Sequence, residues 1–201
     1  MQHNQQKSPI LAIVAITSFL GTFLISSINI ALPAIEKEFS MHAVALSWVI
    51  TGFLLTMATF LLPMGRIADL SGVKRIFKIG MYFFTISSLL CIFANSGTML
   101  IVFRLIQGIG AALTSTTGTA ILVAAYPPNQ RGRVLGMSVA SVYLGLATGP
   151  FIGGVLTETL GWRSVFVLSF VLGIVVVIVT QIFLGKDDSG SFKAIKQLRF
   201  R

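Results

Sequence analysis

Three stretches of this chain, residues 9–35, 43–65 and 105–130, contain no charged side chain. As an α-helix rising about 1.5 Å per residue, each is long enough to cross a hydrocarbon core of ~30 Å. Backbone polar groups must pair within the protein in lipid, and the stretches lack the two-residue alternation of barrel strands. With 10% charged residues and a mean hydropathy of +0.90, the chain is too apolar for a soluble domain. The sequence therefore predicts an all-α integral membrane protein.

Six membrane-spanning helices are predicted from the spacing of charged and turn-forming residues. The spans are placed at about residues 10–32, 44–64, 79–94, 99–124, 134–156 and 164–184, and they form one transmembrane domain, 10–184, after a short tail, 1–9. The first span is longer than the apolar region of a typical signal peptide, and no small-residue cleavage pattern follows it. We therefore interpret it as a retained membrane anchor.

A basic segment, residues 185–201, follows the last span. Phe192, Ile195 and Leu198 recur every three residues, with lysine and arginine residues between them. This pattern favours an amphipathic helix that lies on the cytoplasmic membrane surface. A disordered basic tail is the alternative interpretation.

The formal net charge of +9 raises the question of nucleic-acid binding. With the N-terminus inside, however, most lysines and arginines fall in loops on the cytoplasmic side, and the outer loops hold only Lys37 and Arg163. This asymmetry follows the positive-inside rule of multi-pass membrane proteins. The charge therefore predicts cytoplasmic termini, the cell inner (plasma) membrane as the location and anionic lipid as the partner, with no role for nucleic acid.

The segment GRIADLSGVKR joins the second and third spans. It contains Gly65, Asp69 and Gly72, followed by Lys74 and Arg75. A carboxylate beside two cations and two glycines, at the mouth of two helices, can form a charge latch at the cytoplasmic face. A generic basic loop accounts for the cations but not for the placement of the glycines and the aspartate.

The segment RLIQGIGAA places Arg104 and Gln107 inside the fourth span, with Arg104 near its outer end. An arginine within the membrane costs about 2.5–3.5 kcal/mol on insertion scales. Arg104 is therefore expected to face a cavity or a polar partner, and snorkelling to the outer interface is the alternative.

The segment GLATGPFIGG in the fifth span carries Gly145, Gly149 and Gly153 at four-residue spacing, together with Pro150 and Gly154. Glycines at this spacing lie on one helix face and allow a neighbouring helix to approach closely. Pro150 removes one backbone donor and favours a bend.

These three segments resemble signatures of the major facilitator superfamily, in particular its fourteen-helix drug:proton antiporters. WVITGFLL (residues 48–55) and INIALP (28–33) are similar to patterns of the same branch. The resemblance implies a six-helix half built as a 3+3 inverted repeat, with the loop after the second helix holding one half of the carrier against the other. It also implies that Arg104 couples proton movement to substrate binding, and that the glycine segment of the fifth helix marks exporters.

The chain departs from this branch at Leu24, where an aspartate is common, and at Leu70 and Val73 of the loop, where arginine is usual. None of the six acidic residues lies deep in a predicted span. Proton coupling, if present, is therefore expected to depend on Asp69 or Glu158 at the membrane edges, or on a carboxylate of another polypeptide.

The function predicted from these features is that of a secondary active transporter, exporting small amphipathic organic molecules by alternating access. Because the chain provides one half, a second six-helix half is expected, either a second copy or a separate C-terminal half. The alternative is a non-transporting assembly module. No enzymatic activity, metal or cofactor is predicted. Polar residues on three spans are the candidate cavity lining, with helix–helix hydrogen bonding as their alternative role: Ser26, Asn29, Thr51, Arg104, Gln107 and Thr114.

Overall fold

The computed structural model describes residues 7–184, and these residues form six α-helices. The helices are α1 (Lys7–Phe39), α2 (Ala43–Ser71), α3 (Val73–Ile92), α4 (Gly97–Ala125), α5 (Pro128–Leu160) and α6 (Arg163–Phe183). All six are long and apolar enough to cross a membrane. Each corresponds to one predicted span, although α3 begins at Val73 rather than at residue 79. The predicted amphipathic helix at residues 185–201 and most of the tail at 1–9 lie outside the described residues.

The connections between the helices are short and depend on local backbone chemistry. Gly72 alone separates α2 from α3, and its φ of 100° is a conformation that L side chains rarely adopt. Its N–H donates to the carbonyl of Ala68 at 3.0 Å. Ser96 caps α4 by accepting a hydrogen bond from the N–H of Met99 at 3.2 Å. α5 begins with Pro128, a residue well suited to the first turn.

The helix packing repeats between the first three and the last three helices. α1 packs most extensively against α5, and the equivalent pair, α4 and α2, is also packed extensively. α4 also contacts α3, and the equivalent pair, α1 and α6, is in contact too. The two remaining helices of these pairs, α3 and α6, contact each other. Exchanging α1, α2 and α3 for α4, α5 and α6 therefore reproduces the set of contacts, as predicted for a 3+3 repeat. In this arrangement α1 and α4 are the central helices.

A close helix contact joins α5 to α1 through the glycine stripe. A Cβ atom added to Gly145 would lie 2.6 Å from the carbonyl oxygen of Phe19, and one added to Gly153 would lie 2.5 Å from the Cβ of Ser27. At Gly149 the same atom would lie 2.5 Å from the Cβ of Ser26. Only glycine allows this separation. The predicted close-contact face thus packs against α1 of the same chain.

Pro150 stays within a continuous α5, and α1 compensates for the hydrogen bond that proline removes. In a regular helix the N–H of residue 150 donates to the carbonyl of Leu146, and proline has no such donor. The Ser26 hydroxyl donates to that carbonyl instead, at 2.9 Å. The Ser27 hydroxyl donates similarly to the carbonyl of Gly149, at 3.0 Å. The irregular backbone of α5 is therefore satisfied by hydroxyls of its partner helix.

Candidate functional site

A cavity of about 220 Å³ lies among α1–α5, on the side of the two central helices away from α6. Phe53, Phe77 and Phe84 form part of its apolar wall. Ser115 and Thr119 of α4 line it and are exposed, so the cavity opens to the outside of the six-helix unit. The polar side chains of its wall are all hydroxyls among the residues that the structure describes: Thr17, Ser18, Thr22, Thr114, Ser115, Thr119 and Ser138.

Three of these hydroxyls already donate their single proton to backbone carbonyls. The Thr17 hydroxyl donates to the carbonyl of Ile13 at 2.7 Å. The Thr22 hydroxyl donates to the carbonyl of Val142 at 3.0 Å, and the Thr114 hydroxyl donates to the carbonyl of Gly110 at 3.1 Å. A hydroxyl has one hydrogen and two acceptor lone pairs. Toward a molecule in the cavity, these three side chains can therefore act only as hydrogen-bond acceptors.

Arg104 is fully buried behind the cavity wall. Its Nε donates to the carbonyl of Val49 in α2 at 2.9 Å, and its Nη1 donates to Oε1 of Gln107 at 2.6 Å. Gln107 in turn donates from Nε2 to the hydroxyl of Ser88 in α3 at 2.7 Å. The guanidinium stacks on the ring of Phe53, with Cζ 4.2 Å from the ring centroid. The arginine is thus held by polar partners rather than by the outer interface.

This network joins α2, α3 and α4, and neither Arg104 nor Gln107 lines the cavity. It contacts the cavity wall through the ring of Phe53 and through the carbonyl of Phe84, which accepts from the Ser88 hydroxyl at 2.8 Å. Nη2 of Arg104 is buried and lacks a hydrogen-bond partner among the described residues. Gly108, one residue after Gln107, packs so closely on α2 that an added Cβ would lie 2.6 Å from the carbonyl oxygen of Phe53. The motif therefore positions the α2 segment that forms part of the cavity wall.

Of the other polar residues predicted for the cavity, Thr114 lines it and three do not. Ser26 contacts α5, as described above. Asn29 is exposed, and its Nδ2 donates to the carbonyl of Ile25 within α1 at 3.1 Å. Thr51 is exposed and donates to Ser47 within α2 at 2.8 Å. Asn29 and Thr51 thus satisfy their polar groups within their own helices, on surfaces outside this cavity.

The remaining predicted loop residues cluster where α2 meets α3. Asp69 and Arg75 are exposed, Lys74 is partly buried, and Gly72 forms the turn between the helices. An added Cβ at Gly65 would have its nearest neighbour at 4.0 Å, so this glycine has room for a side chain. The turn brings the aspartate and both cations to one end of the helix bundle. A latch role for them stays a prediction.

A second polar cluster, at the opposite end of the bundle, was not predicted from the sequence. Nη1 of Arg163 donates to Glu38 at 2.6 and 2.8 Å, while its Nε and Nη2 donate to the carbonyls of Ile92 and Ala94 at the end of α3. The Nε1 of Trp162 also donates to Glu38, at 2.7 Å. A cation at unpaired C-terminal carbonyls is favourable. We term this group the outer clamp, because it lies at the end of the bundle that the sequence predicts to face outside. It ties together the ends of α1 and α3 and the start of α6.

The six long apolar helices define an α-helical membrane protein, and sequence comparison identifies the family. The profile of the Major Facilitator Superfamily matches residues 12–197, which is most of the chain. The chain therefore belongs to the Major Facilitator Superfamily.

Several named members of this family are similar to the chain. It is 35% identical over 182 residues to the riboflavin transporter RibZ of Clostridioides difficile, covering 90% of this chain and 40% of that protein. It is 38% identical over 165 residues to the methylenomycin A resistance protein of Bacillus subtilis, covering 82% and 35% of the two chains. With the multidrug resistance protein Stp of Mycobacterium tuberculosis it shares 35% identity over 177 residues, covering 86% and 33%.

A solved structure shows the same fold. The crystal structure of a bacterial homologue of the human lysosomal transporter Spinster, inward-facing and unoccupied, aligns with a TM-score of 0.77 at 22% identity. The alignment covers 89% of this chain and 43% of that one. The chain thus spans less than half of the length of the relatives it matches.

Proposed function

We propose that this chain forms one half of a secondary active exporter, an antiporter that moves small amphipathic organic molecules by alternating access. The observation that carries the proposal is the hydroxyl-lined cavity among α1–α5, open at Ser115 and Thr119. Its volume of about 220 Å³ is below the ~300–1,000 Å³ of typical small-molecule sites. A complete substrate site therefore needs a second wall.

The second wall is a second six-helix half, supplied by another copy of the chain or by a separate C-terminal half. α2 and α5 are the least buried of the six helices described. Leu62 and Leu70 of α2 are 83% and 73% exposed, and Phe151 and Leu160 of α5 are 77% and 72% exposed. Halves of this superfamily are related by an axis along the membrane normal, which allows two such units to face each other across the cavity.

The cavity lining favours an uncharged substrate with hydrogen-bond donors on a planar apolar body. Thr17, Thr22 and Thr114 offer acceptors, the phenylalanine rings offer stacking surfaces, and the described lining contains no charged side chain. Riboflavin is uncharged at neutral pH and carries hydrogen-bond donors and a planar ring system with an apolar edge, and the relative RibZ is named as its transporter. The names of the other relatives point to drug efflux, which an apolar and uncharged lining also suits.

Proton coupling, as part of this proposal, relies on a carboxylate outside the cavity. Leu24, at the position where related antiporters often carry an aspartate, is fully buried and does not line the cavity. Glu38 is engaged in the outer clamp. Asp69 and Glu158, the two edge carboxylates predicted from the sequence, are exposed near the helix ends, as is Glu36 at the end of α1. We retain Asp69 and Glu158 as the coupling groups to be tested, beside any carboxylate of the second half. Unchanged pH-driven uptake in the variant with both Asp69→Asn and Glu158→Gln would exclude the two edge carboxylates.

A cavity-filling substitution tests the proposed site directly. Gly21 of α1 lines the cavity, and an added Cβ there meets no atom within 4 Å. Gly21→Leu is therefore expected to place its side chain in the cavity, with room for its Cβ beside the neighbouring helices. Gly136→Leu is the matched control, because Gly136 of α5 has equally open surroundings and lies outside the lining.

The assay measures the flux of riboflavin, detected by its intrinsic fluorescence, into liposomes. The liposomes contain the protein as extracted from the membrane in which it is produced. Flux of the permanently cationic dye ethidium is measured in parallel. Gly21→Leu is expected to reduce flux at least tenfold while Gly136→Leu leaves it unchanged. Equal flux in both variants would refute the cavity as the substrate site. Flux of ethidium without flux of riboflavin would support a transport function but would overturn the proposal that the substrate is uncharged. No flux of either probe would favour the non-transporting assembly module.

A further inference from the structure

Three polar side chains meet on the outward surface of α3 and α6, and none of them lines the cavity. Lys78 and Tyr82 are four residues apart and therefore share one face of α3. Nζ of Lys78 donates to Oε1 of Gln181 in α6 at 3.4 Å, and Nε2 of Gln181 donates to the Tyr82 hydroxyl. Gln181 is exposed, and Tyr82 is 41% exposed. None of the sequence motifs described above includes this group, which we term the α3–α6 triad.

Among residues 7–184, the triad has unused hydrogen-bond donors and a positive charge without a carboxylate partner. Lys78 has three donor protons and uses one in a long hydrogen bond. Tyr82 accepts from Gln181, so its own proton remains available. Within residues 7–184, no carboxylate lies within salt-bridge distance of Lys78. The unused hydrogen-bond donors of Lys78 and Tyr82 thus suit an anion that has several acceptor oxygens.

The surroundings of the triad are apolar and exposed. Ile86 continues the α3 face four residues beyond Tyr82, and Ile178 and Ile174 continue the α6 face three and seven residues before Gln181. They are 54%, 52% and 37% exposed, respectively. The triad therefore lies at one end of two apolar stripes on neighbouring helices, a surface that suits hydrocarbon chains.

The position of the triad along the helices matches the depth of a lipid headgroup. Lys78 lies five residues after the start of α3, or roughly 7.5 Å along the helix axis. Gln181 lies two residues before the end of α6. Headgroup layers are roughly 5–8 Å thick on each side of the hydrocarbon core. The distribution of basic residues assigns this end of the bundle to the cytoplasmic leaflet, where anionic lipids attract lysine side chains.

We propose that the α3–α6 triad binds the phosphate of an anionic phospholipid in the cytoplasmic leaflet. Lys78 provides charge and Tyr82 a directed O–H donor, while Gln181 holds the two side chains in position. The acyl chains lie along the stripes that contain Ile86 and Ile178. A lipid is favoured over free phosphate because these stripes continue directly from the triad into the membrane.

The test measures retention of phosphatidylglycerol by the full chain in nanodiscs that also contain phosphatidylcholine, using native mass spectrometry. Lys78→Gln is expected to weaken phosphatidylglycerol retention about fivefold or more, because one juxtamembrane charge is lost. Tyr82→Phe keeps the net charge and is expected to weaken retention by at least twofold. Arg66→Gln is the matched control, because it removes an exposed charge from α2 at the same end of the bundle.

Three results would overturn the proposal. Equal losses of phosphatidylglycerol retention in Lys78→Gln and Arg66→Gln would show that the lipid is attracted to the basic surface in general. Unchanged retention in Tyr82→Phe would exclude a directed site. Displacement of the lipid by millimolar inorganic phosphate would show that the triad binds the free anion rather than the lipid. All three side chains lie at the protein surface, and unaltered helix content, measured by circular dichroism, would show that the variants are folded.

Discussion

Two adjacent glycines of α5 allow the close α1–α5 contact to be tested by a single methyl group. A Cβ at Gly153 would lie 2.5 Å from the Cβ and 2.7 Å from the Cα of Ser27, whereas one at Gly154 would meet its nearest atom, Cγ2 of Ile30, at 3.7 Å. Ordinary contact between carbons needs about 3.5–4.0 Å. In Gly153→Ala, α1 must therefore retreat by roughly 1 Å, whereas Gly154→Ala requires no movement.

The magnitude follows from comparing the two variants with each other. Overpacking of a close contact costs about 1–3 kcal/mol. The gain in helix propensity from glycine to alanine, up to about 1 kcal/mol, is common to both and cancels in the comparison. Gly153→Ala is therefore expected to be less stable than Gly154→Ala by about 1–3 kcal/mol.

The assay is reversible unfolding by sodium dodecyl sulfate in mixed micelles, followed by the fluorescence of Trp162, with Trp48 replaced by phenylalanine in both variants. Trp162 suits this purpose because its ring is 3% exposed and packs against Phe166 and Phe39. Equal stability of the two variants would refute the assignment of this stripe to the α1 contact. A larger loss in Gly154→Ala would place the close contact on the opposite side of the stripe.

Three further predictions concern other parts of the fold. Gly72→Ala is expected to destabilise the protein by about 1–2 kcal/mol relative to Gly65→Ala in the same unfolding assay, because of the two only Gly72 has a positive φ; equal effects would contradict this. Gln107→Leu is expected to cost about 1.5–3 kcal/mol by removing an acceptor from the buried guanidinium, and more than Ser88→Ala, which removes an acceptor from a neutral amide. Glu38→Gln is expected to cost at most about 1 kcal/mol, because Glu38 and its arginine partner are 40% and 33% exposed, and the difference should shrink in high salt.

The six helices could be predicted because each is a long apolar stretch bounded by charge or by turn-forming residues. Burial of Arg104 also followed from the cost of a charge in lipid. Gln107 was within reach of prediction as its i+3 neighbour on the same helix face. Ser88 was not, because its contact with Gln107 depends on how α3 packs against α4.

The cavity lining was harder to predict because a small polar side chain in a helix has three destinations that look alike in sequence. Asn29 and Thr51 bond to their own helix, Ser26 bonds to α5, and Thr114 faces the cavity. The rotation of each helix about its own axis decides among these outcomes, and tertiary packing sets that rotation. Only the pairing of Ser26 with the carbonyl freed by Pro150 has a sequence signal, since a proline in a helix always leaves one carbonyl without its donor.

Tertiary packing also made the outer clamp unpredictable from the sequence, although its residues are separated by a longer stretch of chain. Glu38 and Arg163 are far apart in the chain, and nothing near either residue indicates its partner. Only the 3+3 arrangement, which places the end of α1 beside the start of α6, brings them within 2.6 Å.

The central claim is that this six-helix unit works as one of two halves around a shared cavity. The most direct test is the native mass of the transport-competent particle, extracted from its own membrane into lipid nanodiscs. The account predicts two six-helix units in each particle, either two copies of the 21.6 kDa chain or this unit joined to a second half. A single six-helix unit that carries the full riboflavin flux would contradict it.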